Sequence, residues 1–361
     1  MKDGAHIQVL DGWRGLSISL VLLAHLIPLA GPKAMQIVAS AINDFLPQLF
    51  QIQPQAWNLN DSVGILGMVI FFNLSGFLIT SYLLKEGATV AEFLIRRIFR
   101  IFPLAWLYLA VVLPLYAPAL GTWIANLFFY ANLPPKQLLP LAEHFWSLCL
   151  EIQFYAGVAA LFLFFKARGL MVLPLLCASV TLLRIHNGVY ASSVTYFRID
   201  EILAGCLLAL LFNGRLGPAG ERLLWAIGKI PQWILLVLLV ASCLEQGGWL
   251  NYLRPYLAAA LIGSTMASAN TFLARNLQNR VLSYLAGISY ALYVLHVGLT
   301  GSWLGSGETA ERYLKRPLLL LVLFVLAHLS TYYYEHRWIS LGRRLSAQLS
   351  RSRNGTRPSI P

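Results

Sequence analysis

The sequence predicts an all-α protein, a polytopic integral-membrane bundle of about ten transmembrane helices with both termini in the cytoplasm. Three observations carry this. Hydrophobic residues make up 58% of the chain and charged residues only 12%, about half the charged share of a soluble domain. Apolar runs approaching the roughly 20 residues that span a bilayer recur along its whole length. Its basic residues fall in alternate gaps between those runs, as the positive-inside rule requires.

Ten spans follow in order: 12–31, 61–84, 101–120, 144–165, 170–186, 196–213, 230–245, 253–270, 282–303 and 315–335. Pro174, Gly205 and Pro231 blur the ends of the fifth to seventh. Placing Lys2, Arg14, Lys85, Arg96, Arg97, Arg100, Lys166, Arg168 and the later basic clusters on one side gathers 19 of the 27 Lys and Arg there. That side is read as cytoplasmic. The formal charge of +12 is thus a topology signal, and no nucleic-acid partner is expected. Two long outer loops are expected, 32–60 and 121–143. The second carries Trp123, Phe128, Phe129 and Tyr130, which suit interfacial anchors or a wall over an external cavity. Residues 1–340 form the transmembrane domain, and 341–361, basic and Ser-rich, read as a disordered cytoplasmic tail. No cleavable signal peptide is expected at the start.

Cys149, Cys177, Cys206 and Cys243 all lie in apolar runs without paired spacing. They read as buried inert thiols, with neither a disulfide framework nor a metal site. No Gly-rich phosphate loop is present, so ATP-driven transport is unsupported.

The first span holds the leading candidates. Arg14 enters it and His25 follows eleven positions later, almost three helical turns and about 16 Å further along. The two share a helix face without touching, Arg14 at the cytoplasmic surface and His25 about 9 Å below the outer one. Glu151 and His296 fall at similar depth, and Arg198, Asp200 and Glu201 open the sixth span near the outer surface. Ionisable groups at membrane depth mark functional sites. A histidine takes a proton near neutral pH, and a carboxylate such as Glu151 or Asp11 could orient it, Asp11 less readily because fourteen helical residues separate it from His25 by about 21 Å. The plainer reading of each is a hydrogen bond to a neighbouring helix. On the cytoplasmic side, Arg96, Arg97 and Arg100 cluster with Lys85 and Arg14. Their plainer reading is topological anchoring. Dense arginine also suits charge-assisted binding of a polyphosphate, such as a cytoplasmic acyl-CoA.

Five stretches together resemble a known family: Asp11-Gly-Trp-Arg14-Gly with His25; Phe71-Phe-Asn-Leu-Ser-Gly76-Phe-Leu-Ile-Thr80; Phe93-Leu-Ile-Arg96-Arg97-Ile-Phe-Arg100-Ile-Phe-Pro103; His144-Phe-Trp-Ser147-Leu-Cys-Leu-Glu151-Ile-Gln153-Phe-Tyr155; and Gly287-Ile-Ser289-Tyr290-Ala-Leu-Tyr293-Val-Leu-His296 with Tyr334-Glu335-His-Arg337. In this order they resemble the acyltransferase family 3 membrane proteins, over residues 7 to 340. The chain departs from the family pattern at Val69, Asn73, Ile152 and Trp338.

The resemblance implies an O-acyltransferase of a bacterial inner membrane. It would move an acyl group, commonly acetyl from acetyl-CoA, to a hydroxyl of a carbohydrate or glycolipid acceptor. Carried over, His25 is the catalytic base, Arg14 its companion in the motif, Arg97 and Arg100 are donor-binding candidates, and Glu151 sits where the family has its first helix-4 glutamate. Beside the resemblance, Glu151 and Asp11 are the candidate partners of His25, and Arg14 and Arg96 join the donor-binding candidates. His144, Ser147, Arg198, Asp200 and His296 are acceptor-binding candidates. No metal is expected. Many relatives add a C-terminal esterase-like domain, for which the residues after 340 are too few. The rival class is a proton-coupled transporter or flippase, since ten helices with buried His, Glu and Arg could line a path. Against it, no repeat symmetry of the transporter kind is visible.

Overall fold

The computed structural model describes residues 3–27, 59–244, 247–268 and 270–355. Their regular structure is all helical. The helices are α1 Asp3–Leu26, α2 Leu59–Leu83, α3 Val90–Tyr116, α4 Leu120–Leu127, α5 Trp146–Gly169, α6 Leu173–His186, α7 Asp200–Phe212, α8 Gly217–Lys229, α9 Gln232–Cys243, α10 Leu250–Ala267, α11 Phe272–Leu277, α12 Arg280–Thr300, α13 Thr309–Leu329 and α14 His336–Gly355. A 3-10 turn, Pro140–Phe145, leads into α5, and a π-helical turn, Ser330–Glu335, joins α13 to α14.

Each of the ten expected spans overlaps one of these helices. Six helical stretches are long and apolar enough to cross a membrane among the described residues, or seven if α7 and α8, bent by 108°, count together. The difference from ten has local causes. The fourth and fifth spans lie in one stretch, Pro140–His186, with Lys166 in a left-handed conformation (φ 53°) between its limbs. The seventh, α9, has only 12 residues, which reach about 18 Å where hydrocarbon needs about 30 Å. The eighth, α10, has 18 residues but carries Asn251 and Arg254 and is not apolar enough to count. The outer loop expected at 32–60 lies outside the described residues except for the first turn of α2.

The chain forms two compact units. The first comprises residues 1–79, 173–192 and 196–289, and its helices approach through small residues. Gly76 of α2 lies against the Ile202 carbonyl of α7, and Gly205 of α7 against the Asn73 carbonyl of α2, so that a methyl group on either would overlap backbone. With little hydrophobic drive between helices in lipid, such close backbone contact supplies the dispersion that holds them. Polar ties add direction: Ser17 Oγ donates to the Gly67 carbonyl at 2.8 Å and Trp13 Nε1 to Thr265 Oγ1 at 2.9 Å, both buried.

The second unit comprises residues 80–172, 193–195 and 290–361. Here α3 packs against α5 and α14. Thr89 caps α3 by accepting from the Glu92 amide, which satisfies one of the unpaired amides of its first turn. The aromatic segment 121–143 begins with α4; Phe129 is buried 5.0 Å from the Phe102 ring, while Phe128 and Tyr130 stay exposed. The segment after residue 340, where composition predicts disorder, is helical as far as Gly355. Composition misleads there because order comes from α3: Gly342 lets α14 approach Phe99 closely, and Ser346 is buried where Arg96 Nε donates to it at 3.0 Å.

Candidate active site

In the first unit, α1 positions His25, Arg14 and Asp11. His25 lies in its last turn with an exposed ring. Its Nδ1 is 2.8 Å from the carbonyl oxygen of Val21, one turn earlier. A carbonyl only accepts, so Nδ1 carries the proton and Nε2 of the neutral ring carries the lone pair. The bond thus makes Nε2, and not Nδ1, the nitrogen at which the neutral ring would accept a proton. Arg14 pairs with Asp11 at 3.5 Å, both partly exposed. Asp11 is thus engaged with Arg14 near the middle of α1, fourteen residues before His25.

Arg198 and Asp200 lie in a buried ion network at the start of α7. Glu201 Oε1 is 3.0 Å from Arg198 Nε and 3.1 Å from Arg254 Nε, and Asp200 Oδ2 pairs with Arg184 Nη1. None of these five side chains is more than 4% exposed. Arg184 and Arg254 both donate to the Tyr190 carbonyl at 2.9 Å, which ties the 187–192 turn to α6 and α10. Burial of this kind is tolerated only with paired charges and satisfied donors. Arg184 and Arg254 are absent from the sequence-derived candidates. Their signal was present, an arginine inside each of two apolar runs, but their partners are distant in sequence.

In the second unit, His144, Ser147, Glu151 and Tyr155 recur at three- and four-residue steps and form one stripe from the 3-10 turn along α5. All four are buried. Ser147 Oγ and the Tyr293 hydroxyl are 2.5 Å apart, and that hydroxyl donates to the His144 carbonyl. His144 Nε2 donates to the Val294 carbonyl at 3.2 Å, and the His144 and His296 rings lie 5.1 Å apart, edge to face. His296 Nδ1 donates to the Tyr293 carbonyl at 2.6 Å. The structure therefore brings His144, Ser147 and His296 together around Tyr293, a residue the candidate set lacked.

Further along the stripe, Glu151 Oε1 accepts from the Tyr155 hydroxyl. The Arg97 guanidinium lies 5.4 Å from the Tyr155 ring centroid, and that of Arg96 lies 5.8 Å from the Tyr82 centroid. Phe93 packs against both tyrosines, 6.3 Å from Tyr82 and 5.7 Å from Tyr155. Arg96 and Arg100 are exposed and Arg97 half-buried. Glu151 and the arginine cluster are thus linked through Tyr155 within this unit.

Residues 7–336 match the family described as an acyltransferase domain, acyltransferase family 3, and the chain belongs to that family. Among its relatives, the peptidoglycan O-acetyltransferase of Listeria monocytogenes is 28% identical over 340 residues, 81% of this chain and 54% of the relative. A Staphylococcus aureus (strain COL) protein provisionally named an O-acetyltransferase is 29% identical over 279 residues, 64% of this chain and 45% of that protein. A Bacillus subtilis protein provisionally named a peptidoglycan O-acetyltransferase is 28% identical over 283 residues, 64% and 44%. The chain spans about half the length of the curated relatives it matches. No solved structure matches it significantly.

Proposed function

We propose that the protein is an integral-membrane O-acetyltransferase. In this reading it takes the acetyl group of cytoplasmic acetyl-CoA and passes it to a hydroxyl of an extracytoplasmic carbohydrate or glycolipid. The names of its relatives make peptidoglycan the first acceptor to test; lipopolysaccharide and exopolysaccharide sugars follow. The distribution of basic residues supports cytoplasmic termini and the bacterial relatives support a bacterial inner membrane, with residues 1–340 as the catalytic membrane domain.

His25 Nε2 accepts the proton of the acceptor hydroxyl as that oxygen attacks the thioester carbonyl. The C–S bond then breaks, the imidazolium returns the proton to the departing thiolate, and the products are the acetyl ester and CoA. Arg14, Arg96, Arg97 and Arg100 hold the donor phosphates. His144, Ser147 and His296, with Arg198 and Asp200, are assigned to the acceptor side, the last two through the shape they give the 187–200 region. The observation that carries this reading is the His25–Val21 hydrogen bond, since it engages Nδ1 and makes Nε2 of an exposed ring the basic nitrogen.

Mass spectrometry of surface glycans from wild-type, deletion and His25→Ala strains tests it. An acetyl mass present only in wild type supports the reading. Acetylation retained by His25→Ala removes the base assignment, and glycans identical in wild type and deletion remove the acceptor class.

A further inference from the structure

We infer that Tyr155, Tyr82 and Ser346 are positioning residues that hold the Arg96–Arg97 pair as a pre-oriented clamp for the diphosphate of the acyl donor. The inference rests on the reading of those arginines as donor-binding and extends it to residues that never touch the donor.

The argument starts from an arginine's entropy. An exposed guanidinium on a long stem samples many rotamers, and each phosphate contact must first offset that freedom. Stacking on an aromatic ring removes much of it while leaving the N–H edge of the fork available for bidentate contact with phosphate. In this chain two consecutive arginines are each backed by a different tyrosine, Arg96 by Tyr82 and Arg97 by Tyr155. Phe93 packs edge-on to Tyr155 and tilted to Tyr82, so the two rings form one shelf.

The braces have braces of their own. Tyr155 is buried with its hydroxyl on Glu151. Arg96 is held from a second direction by the buried Ser346 Oγ of α14, which accepts from Nε at 3.0 Å. That contact occupies Nε and leaves the two terminal nitrogens for a ligand. A topological anchor needs only charge near the membrane surface, with no ring behind it and no acceptor at Nε. Glu151 accepts from the Tyr155 hydroxyl behind this ring, while burial of the ring itself holds the plane against which Arg97 lies.

The test uses the full-length protein in nanodiscs, with coenzyme A as the probe in titration calorimetry and the melting temperature recorded for every variant. Tyr155→Leu removes the ring and should weaken coenzyme A binding about two- to five-fold, the range of one exposed cation–π contact. Tyr155→Phe keeps the ring and should bind close to wild type. Ser346→Ala, a small change at the second brace, should weaken binding by a similar factor without lowering the melting temperature as Tyr155→Leu can. The weakening should diminish at high salt, because it acts through phosphate charge. Wild-type affinity in both Tyr155→Leu and Ser346→Ala overturns the proposal. So does equal weakening by Tyr155→Phe and Tyr155→Leu, which would put the effect in the hydroxyl. Arg97→Ala separates the two levels: if it leaves affinity unchanged, the donor-binding reading itself fails, whereas if it weakens binding and Tyr155→Leu does not, only the positioning role fails.

Discussion

Arg254 Nε donates to Glu201 Oε1 at 3.1 Å with neither side chain exposed, and the same oxygen lies 3.0 Å from Arg198 Nε. One carboxylate thus balances two guanidiniums inside the first unit. Removing one member leaves a buried charge short of its partner, which typically costs about 3–5 kcal/mol. Arg254→Leu should therefore lower the melting temperature of the detergent-solubilised protein sharply. Pairing it with Glu201→Gln should cost less than the two single changes summed, because the partners act as a unit. Strict additivity in a thermal-melt cycle would show that the pair is not coupled.

The His25–Val21 contact leads to a kinetic expectation. If His25 only packs, His25→Gln should be mild. If it is the base, His25→Gln and His25→Ala should each slow transfer about 10²- to 10⁴-fold, the usual worth of a positioned proton acceptor. Coenzyme A affinity should stay unchanged, since the donor is held elsewhere. A parallel loss of affinity would place His25 in binding.

How far these features can be read from the sequence differs by residue. The helices were legible because hydropathy and basic-residue spacing are local, whereas His144, Ser147 and Tyr155 entered through the family resemblance and form one stripe only once α5 is in place. Arg184 and Arg254 were not, because an arginine's partner 16 or 53 residues away is fixed by tertiary packing. The order of α14 was hidden for the same reason: its polar composition says nothing of Gly342 and Ser346 meeting Phe99 and Arg96. Glu151 illustrates the middle case. Its depth marked it as functional, while its contact with Tyr155 links it to the arginine cluster.

The crossing of α2 and α7 makes a steric forecast. A methyl group at Gly76 would overlap the Ile202 carbonyl, and one at Gly205 the Asn73 carbonyl. These are rigid backbone atoms, so the helices themselves must move apart. Gly76→Ala and Gly205→Ala should each destabilise by about 1–3 kcal/mol, as overpacking of a tight core does. Gly157→Ala, inside α5 with nothing within 4 Å, is the control and should melt at or slightly above wild type, since Ala is the better helix former. Equal melting temperatures for all three would refute the close crossing.

The Ser147–Tyr293 contact decides whether the His144 cluster is scaffold or site. Tyr293 OH bridges Ser147 Oγ and the His144 carbonyl, so Tyr293→Phe deprives two buried groups of a partner at once. Ser147 Oγ still donates to the His144 carbonyl at 3.4 Å, so the loss is that of a buried hydrogen bond, about 0.5–1.5 kcal/mol, and the melting temperature should fall accordingly. Ser147→Ala removes one partner only and should cost less, because Tyr293 retains the His144 carbonyl. The two variants also report on acceptor binding. If the cluster orients the acceptor hydroxyl, both should raise KM for the acceptor while KM for acetyl-CoA holds. If it is scaffold alone, the two constants should hold together in whatever fraction of the protein remains folded, and the acceptor-side assignment of His144, Ser147 and His296 would be withdrawn.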